Sequence, residues 1–205
     1  MELLVIRHGQ SEADLLNCHE GRADFPLTQL GVKQATLLAN WLSANKEIPD
    51  IIFSSSLKRA YQTAEVLGKQ FGVSVEYDQD LMEFNNGLLQ GLSYDDAAIR
   101  FPIQPEYKRS YISFYGQETL LEFRARAEKV LSRIIFESEP DKKIVIVSHG
   151  GMINMLFRSF MKLPMNIDFS IASGDTAVHK WKIEGEKRGI MFLNRMEHLK
   201  NLETI

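Results

Sequence analysis

Cysteine is almost absent from this 205-residue sequence, in which Cys18 stands alone. A single thiol forms no intramolecular disulfide and no metal-finger spacing accompanies it, which argues against a stapled secreted scaffold and against a zinc module. No run approaches the ~20 apolar residues of a membrane span. The opening stretch Met1–Arg7 has too short an apolar core for a secretory signal, so the expected location is cytoplasmic and no membrane partner is expected. Positive charge is not in excess either. Lys plus Arg total 24 against 27 for Asp plus Glu, a formal net charge of −3, which argues against nucleic acid as a partner. The five histidines include no His-Glu-x-x-His pair or similar short spacing, so no metal is expected. Internal repeats and low-complexity tracts are missing too.

What is present is an ordinary globular composition, 44% hydrophobic and 25% charged. By mass scaling, folding such a chain removes roughly 24,000 Å² from water, a core that needs no staple. Apolar runs of strand length alternate with amphipathic stretches of helical length, the pattern of a layered α/β domain spanning 1–205. Strands are expected at Leu3–Ile6, Ile51–Phe53, Val73–Tyr77 and Ile144–Val147. A hairpin of Val178–Ile183 and Ile190–Leu193 is expected to turn near Gly185. Thr28 caps an expected helix over 29–44, with Leu30, Ala35, Leu38 and Leu42 facing inward. A second helix runs from Leu57 to Phe71 and is closed by Gly72. Ser93 and Asp96 form a capping pair for a helix that ends before Pro102. A long helix over 118–138 is expected to bury Leu121, Ala125, Val130, Leu131 and Ile134. Another begins at Gly150-Gly151 and runs to Met161.

In open α/β sheets the ligand site lies beyond the carboxyl ends of the strands. Three of those ends carry related residues. The first strand runs into Arg7-His8-Gly9, the second leads through Ser54-Ser55-Ser56 to Lys58-Arg59, and the strand at 144–147 ends in Ser148-His149-Gly150-Gly151. If these strands are parallel neighbours, two arginines and two histidines meet at one edge. A helix N-terminus behind glycines offers free N–H groups, and arginine donates paired hydrogen bonds, so the natural occupant is a small tetrahedral dianion. A neutral imidazole there can attack phosphorus and carry the phosphoryl group, with flanking cations favouring the neutral ring.

Arg7-His8-Gly9-Gln10-Ser11, Ser54-Ser55-x-x-Arg59-Ala60-x-Gln62-Thr63-Ala64, Leu81-x-Glu83-x-x-x-Gly87-x-x-x-Gly91 and Ser148-His149-Gly150-Gly151 together resemble the histidine phosphatase superfamily, the phosphoglycerate-mutase-like enzymes. The resemblance covers essentially the whole chain. It implies a three-layer α/β/α sandwich around a mostly parallel sheet, a phosphohistidine intermediate, and neither metal nor cofactor. By the same resemblance His8 is the nucleophile, Arg7, Arg59 and His149 clamp the phosphoryl oxygens, and Glu83 is the acid that protonates the leaving group and then activates water. Gly9, Gln10, Ser11, Glu20, Gly21 and Gly150 fall at phosphate- or substrate-contacting positions. For Gln10 and Glu20 a solvated turn is the competing reading. Cys18 and His19, in the same loop, read as structural.

The chain departs from the family pattern in places. Asp14 stands where an asparagine usually donates to phosphate; Asn17 is a candidate replacement donor, and Asp14 a candidate partner for an arginine. Arg22 replaces a frequent tryptophan and Gln90 a frequent glutamate. Arg22 either reads a second anionic group on the substrate or is simply solvated. The aperiodic stretch Glu106-Tyr107-Lys108-Arg109-Ser110-Tyr111-Ile112-Ser113-Phe114-Tyr115 mixes bases with aromatics. It reads either as part of a substrate cap within 84–117, with Lys108 or Arg109 selecting the leaving group, or as a packed surface segment. The longer insertion and proline-followed arginine pair of the mutases are missing. The expectation is therefore a histidine acid phosphatase-type phosphomonoesterase acting on a small phosphorylated metabolite. Cofactor-dependent phosphoglycerate mutase is the alternative, and a phospho-ligand binding module without turnover the second. Oligomeric state is left open.

Overall fold

Leu3, Leu4, Val5 and Ile6 form an unbroken apolar run, which suits a strand covered on both faces rather than on one. In the computed structural model, which describes residues 1–103, 109–165, 167–200 and 202, this run lies in β1 (Glu2–Arg7), and all four side chains are fully buried. The other strands are β2 (Ile51–Ser55), β3 (Val75–Asp78), β4 (Lys143–Ser148), β5 (Val178–Glu184) and β6 (Lys187–Arg195). They form one sheet in the order β3-β2-β4-β1-β5-β6. The first four are mutually parallel, β5 is antiparallel to β1, and β6 closes a hairpin on β5. Gly185 turns that hairpin at φ 60°.

Successive residues of a strand face opposite ways, so β1 and β4 supply two cores at once. Leu3, Val5, Ile144 and Ile146 pack under α5 (Leu120–Glu137) and α6 (Gly150–Phe160) through Val130, Leu131, Met152 and Leu156. Leu4, Ile6, Val145 and Val147 pack under α2 (Gln29–Ala44) and α3 (Lys58–Phe71) through Leu38, Leu42, Ala64 and Leu67. The result is the expected three-layer α/β/α sandwich. Two shorter helices, α1 (Glu12–Leu16) and α4 (Tyr94–Arg100), flank it. None of the described helices is long and apolar enough to cross a membrane.

Several boundaries and faces differ from the sequence reading. The third strand starts at Val75 rather than Val73, and β2 extends through Ser55, which places two of its serines in the strand. The long helix begins at Leu120, because Thr119 caps it: Thr119 Oγ1 accepts from Glu122 N–H, and the Glu122 carboxylate accepts from Thr119 N–H. Packing against the sheet buries the stripe Phe123, Ala127, Val130, Leu131 and Ile134, while Leu121 and Ala125 face solvent. Leu30, expected inward, is exposed as well, because the buried face of α2 is set by Gly31, Ala35, Leu38 and Leu42. The short helix α1 is not among the elements expected from the sequence. Lys108, proposed for a cap, lies outside the described residues. Arg109 is exposed, and its carbonyl accepts from Ile112 N–H.

Candidate active site

Because β1, β4 and β2 are adjacent and parallel, their carboxyl ends come level: Arg7 is in register with Ser148, and Ser54 with Val147. That alignment brings the three strand-end motifs together. The rings of His8 and His149 lie 5.0 Å apart. Arg59, in the first turn of α3, is wholly buried, and its Nε donates to His8 Nε2 at 3.2 Å. The rest of its guanidinium holds the neighbouring loop: Nη1 donates to the carbonyl of Ala23 and Nη2 to that of Gly21. Gly21 has φ 49°, and a Cβ there would also meet the Asn86 side chain at 2.8 Å. A side chain is thus excluded at the point where the loop meets Arg59.

A hydrogen bond fixes the His8 tautomer. His8 Nδ1 lies 2.7 Å from Gly9 O, an acceptor, so Nδ1 carries the proton and Nε2 keeps its lone pair. His149 Nε2 lies 2.8 Å from Ser55 Oγ, which also accepts from Leu57 N–H, and this contact is met by either tautomer of the His149 ring. Burial, and then the positive charge of Arg59, hold both rings well below the usual histidine range; Arg7 adds to the effect on each. Both are neutral imidazoles at neutral pH.

Two buried nitrogens in this cluster have no partner among the described residues, the donor Arg7 Nε and the ring atom His149 Nδ1. Arg7 is otherwise engaged, donating from Nη1 to Ser173 O at 2.8 Å and lying 3.6 Å from Asp175. Unpartnered buried polar atoms are uncommon, and here the two belong to the same site.

Glu83 follows β3 and a short 3-10 turn over 79–81. Its Oε1 accepts from Phe84 N–H at 2.7 Å and its Oε2 from Gly151 N–H at 2.8 Å. Burial pushes the carboxyl pKa above the ordinary glutamate value, against the pull of those two N–H groups and of Arg59. Three neighbours fix the loop that carries it. Ser148 Oγ donates to Leu81 O. Arg126 on α5 gathers the carbonyls of Asp80, Met82 and Glu83 while gripping Glu118 with two hydrogen bonds. Arg22 donates from Nε to Glu83 O at 3.3 Å and lies 3.6 Å from Glu118. The side chain read from sequence as a substrate sensor or a solvated rim residue thus braces the loop of the candidate acid.

The remaining loop residues form a polar lattice around His8. Gly9 N–H donates to Thr63 Oγ1, and a Cβ on Gly9 would strike Gly31 O at 2.7 Å. Gln10 donates from its backbone to Gln34 and accepts from Thr28 Oγ1. Asp14 is exposed, and it accepts from the Ser11 N–H at 2.7 Å, with Ser11 Oγ 3.1 Å away. It caps the start of α1 rather than pairing with an arginine. Asn17 is the exposed left-handed residue that ends α1. Glu20 lies 3.5 Å from Arg59 Nε and 3.9 Å from His8 Nε2. Gln90 accepts from Arg22 N–H. Gly150 opens α6, and Cys18 is a buried free thiol.

Sequence reasoning passed over Gly151, Ser55 and Thr63 as individual site residues, although all three sit inside the motifs it quoted. Arg126 reads as one more charge on an amphipathic helix. Ser173 and Asp175 fall in a stretch without period, where only the folded sheet reveals their proximity to Arg7.

With this geometry established, comparison with known proteins is informative. The sequence matches the family model of the histidine phosphatase superfamily (branch 1) over residues 3–195. It is 32% identical over 172 residues to glucosyl-3-phosphoglycerate phosphatase of Mycobacterium tuberculosis, covering 80% of this chain and 76% of that one. It is 25% identical over 205 residues to phosphoserine phosphatase 1 of Hydrogenobacter thermophilus, covering 97% and 94%. The solved structure of a mycobacterial glucosyl-3-phosphoglycerate phosphatase in complex with vanadate superposes with a TM-score of 0.79 at 27% identity, over 94% of this chain and 98% of the other.

Proposed function

Since the chain belongs to the histidine phosphatase superfamily, branch 1, we propose that it is a phosphatase of the histidine acid phosphatase type, hydrolysing a small phosphomonoester through a phosphohistidine on His8. The observation that carries this reading is the pairing of a neutral His8, its Nε2 lone pair facing Arg59, with a Glu83 carboxyl biased toward its protonated form. Nε2 attacks phosphorus, the bond from phosphorus to the ester oxygen breaks, and the departing oxygen takes the proton of Glu83. Phosphorylation at Nε2 makes the ring cationic, and the Nδ1–H bond to Gly9 O stabilises that charge. The Glu83 carboxylate then removes a proton from water as its oxygen attacks phosphorus. The P–N bond breaks, the electron pair returns to Nε2, and Glu83 is protonated again. Arg7 Nε is an unpartnered donor for the phosphoryl oxygens, and on this reading the His149 proton sits on the unpartnered Nδ1, which donates to them as well.

Nothing in this sequence of steps requires a metal, because Arg7 and Arg59 supply the positive charge; activity is expected to persist in excess chelator. We take the chain as a single domain over 1–205 and 84–117 as the candidate selector of the leaving group; within its described residues Arg109 is exposed. The names of the relatives support small phosphorylated metabolites as substrates. The test is phosphate release from a panel of sugar phosphates, phosphoglycerates, phosphoamino acids and nucleoside monophosphates, ranked by kcat/KM. No release from any member would overturn the reading, and interconversion of phosphoglycerates without release would convert it to a mutase.

The pH profile follows from the two working groups. His8 must be neutral, and its lowered pKa keeps it so well into the acid range. Glu83 must be protonated, so kcat/KM for an alkyl phosphate is expected to fall as pH rises through its elevated pKa. Glu83→Gln should remove that alkaline limb and slow alkyl esters by roughly 10²- to 10⁴-fold, while p-nitrophenyl phosphate, whose leaving group needs no proton, loses far less in phosphoenzyme formation. An unchanged limb in the variant would assign the limb to another group.

Gly151 provides a second check. A Cβ there would come within 2.4 Å of Glu83 Oε1, displacing the carboxylate from its N–H. Gly151→Ala is expected to lower kcat for alkyl phosphates by on the order of 10²-fold with little change in Tm. Full activity would mean that the Gly151 contact does not position the acid.

A further inference from the structure

The position of Glu20 conflicts with simple phosphate binding. Its Oε2 stands 3.9 Å from His8 Nε2, the atom that must meet phosphorus, and its Oε1 stands 3.5 Å from Arg59 Nε. The Nη1 and Nη2 groups of Arg59 each donate to a loop carbonyl, that of Ala23 and that of Gly21, which fixes the plane of the guanidinium. Nε is the nitrogen that donates to His8, and Glu20 lies 3.5 Å from the same atom. Ser11, itself fully buried, holds the carboxylate there by donating from Oγ to Glu20 Oε1. A phosphoryl dianion bonded to Nε2 would meet this carboxylate at a few ångströms, as a like charge seeking the same donor.

On the phosphatase reading of the site, we infer that Glu20 is a built-in competing anion: it contends with the phosphoryl group for Arg59 Nε and so limits how tightly the site holds phosphate. To admit substrate, the side chain turns away from Arg59. The backbone around it is anchored, with His19 N–H donating to Leu92 O, Gly91 N–H to His19 O, and Arg59 holding Gly21. The movement is therefore confined to the Glu20 side-chain torsions, and the outlet is the solvent side, where the side chain is already 19% exposed. The functional consequence lies at the end of the cycle. Inorganic phosphate is a dianion with no leaving group to contribute binding energy, and a carboxylate returning to Arg59 Nε displaces it.

The test is direct binding of inorganic phosphate and of vanadate to the intact protein, together with steady-state kinetics on the best phosphomonoester of the panel. Glu20→Gln retains the shape and the acceptor for Ser11 Oγ but removes the charge. It is expected to lower the dissociation constants of both anions by at least tenfold and to lower KM by more than it changes kcat. Glu20→Ala, which removes the charge without adding a donor, should tighten both anions in the same direction, and Glu20→Asp should not. A gain in affinity is a result that loss of a merely structural contact does not produce. Anion affinities within twofold of the parent protein in both charge-removing variants, or weaker, would overturn the inference and leave the phosphatase reading standing. A parent protein that neither binds these anions nor releases phosphate would overturn both.

Discussion

Replacing His8 by alanine is expected to lower kcat for every phosphomonoester substrate by on the order of 10⁴-fold or more, because the covalent step has no other nucleophile. The size of the effect follows from the surroundings. His149 is not placed to substitute, since its Nε2 is turned to Ser55 Oγ. Water cannot take over easily either, because the same donors and the same Glu83 were arranged for a nucleophile fixed at Nε2, and that positioning is lost. Folding should survive, since Arg59 keeps its two carbonyl partners and its contact with Glu20. The decisive measurement is chemical quench after mixing with labelled substrate. The parent protein should yield acid-labile phosphate on His8, and His8→Ala should yield none. Glu83→Gln should accumulate the label when the leaving group needs no proton, because hydrolysis of the phosphoenzyme still requires the missing base. Label on another residue, or substantial turnover by His8→Ala, would remove the phosphohistidine mechanism.

The stability of the fold is expected to fall steeply between pH 7 and pH 4, well before the carboxylates as a class are protonated. Four of the histidines, His8, His149, His179 and His198, are buried and held below the ordinary histidine pKa chiefly by desolvation; for His179 and His198 the values are about 4. His179 Nδ1 accepts from Asn194 N–H, so its Nε2–H donates to Ser173 Oγ; His198 meets Thr176 Oγ1. In the unfolded chain each titrates near 6.5. Between that value and its folded pKa, the unfolded state binds more protons than the native state, so stability declines as pH falls through this window. For His179 alone the loss is roughly 2 kcal/mol by pH 5, and the other three act in the same direction. Glu83 and Asp175, whose pKa values are raised in the fold mainly by burial, act the opposite way by taking up protons more readily when native. They are two against four. Urea midpoints measured at fixed ionic strength from pH 7.5 to pH 4.5 should fall steadily, and His179→Gln should flatten the slope. A midpoint that holds or rises on acidification would contradict the neutral, buried state assigned to these rings.

The histidines also illustrate how differently two kinds of information are written in the chain. His8 and His149 were legible because each directly follows an apolar run and precedes glycine, a local pattern with a chemical meaning. His179 and His198 carry no such signal. His179 is buried within β5, where Ser173 and Asn194 meet its ring, and His198 is buried where the last 3-10 turn, 197–199, docks against α2 through Trp41. The long helix shows the same division. Apolar residues at 120, 121, 123, 125, 127, 130, 131 and 134 supply more than one helical stripe, so period alone admits several inward faces. The contact with β1 and β4 selects one, through Phe123, Ala127, Val130, Leu131 and Ile134.

By itself, the sequence determined the layered α/β character, the positions of the central strands, and the residue types at three strand ends. Those features depend on hydrophobic periodicity and on local chain geometry, both of which act over a few residues. Only the tertiary structure decided that the three ends lie side by side, that Arg126 and Arg22 brace the Glu83 loop, that Asp14 caps a helix, that Asp175 flanks Arg7, and that Glu20 stands beside the Arg59 nitrogen that donates to His8. These are contacts between residues far apart in the chain, and most of them join a charged side chain to a backbone carbonyl or N–H. Because every residue carries such backbone groups, only the path of the folded chain specifies which of them a given side chain will meet.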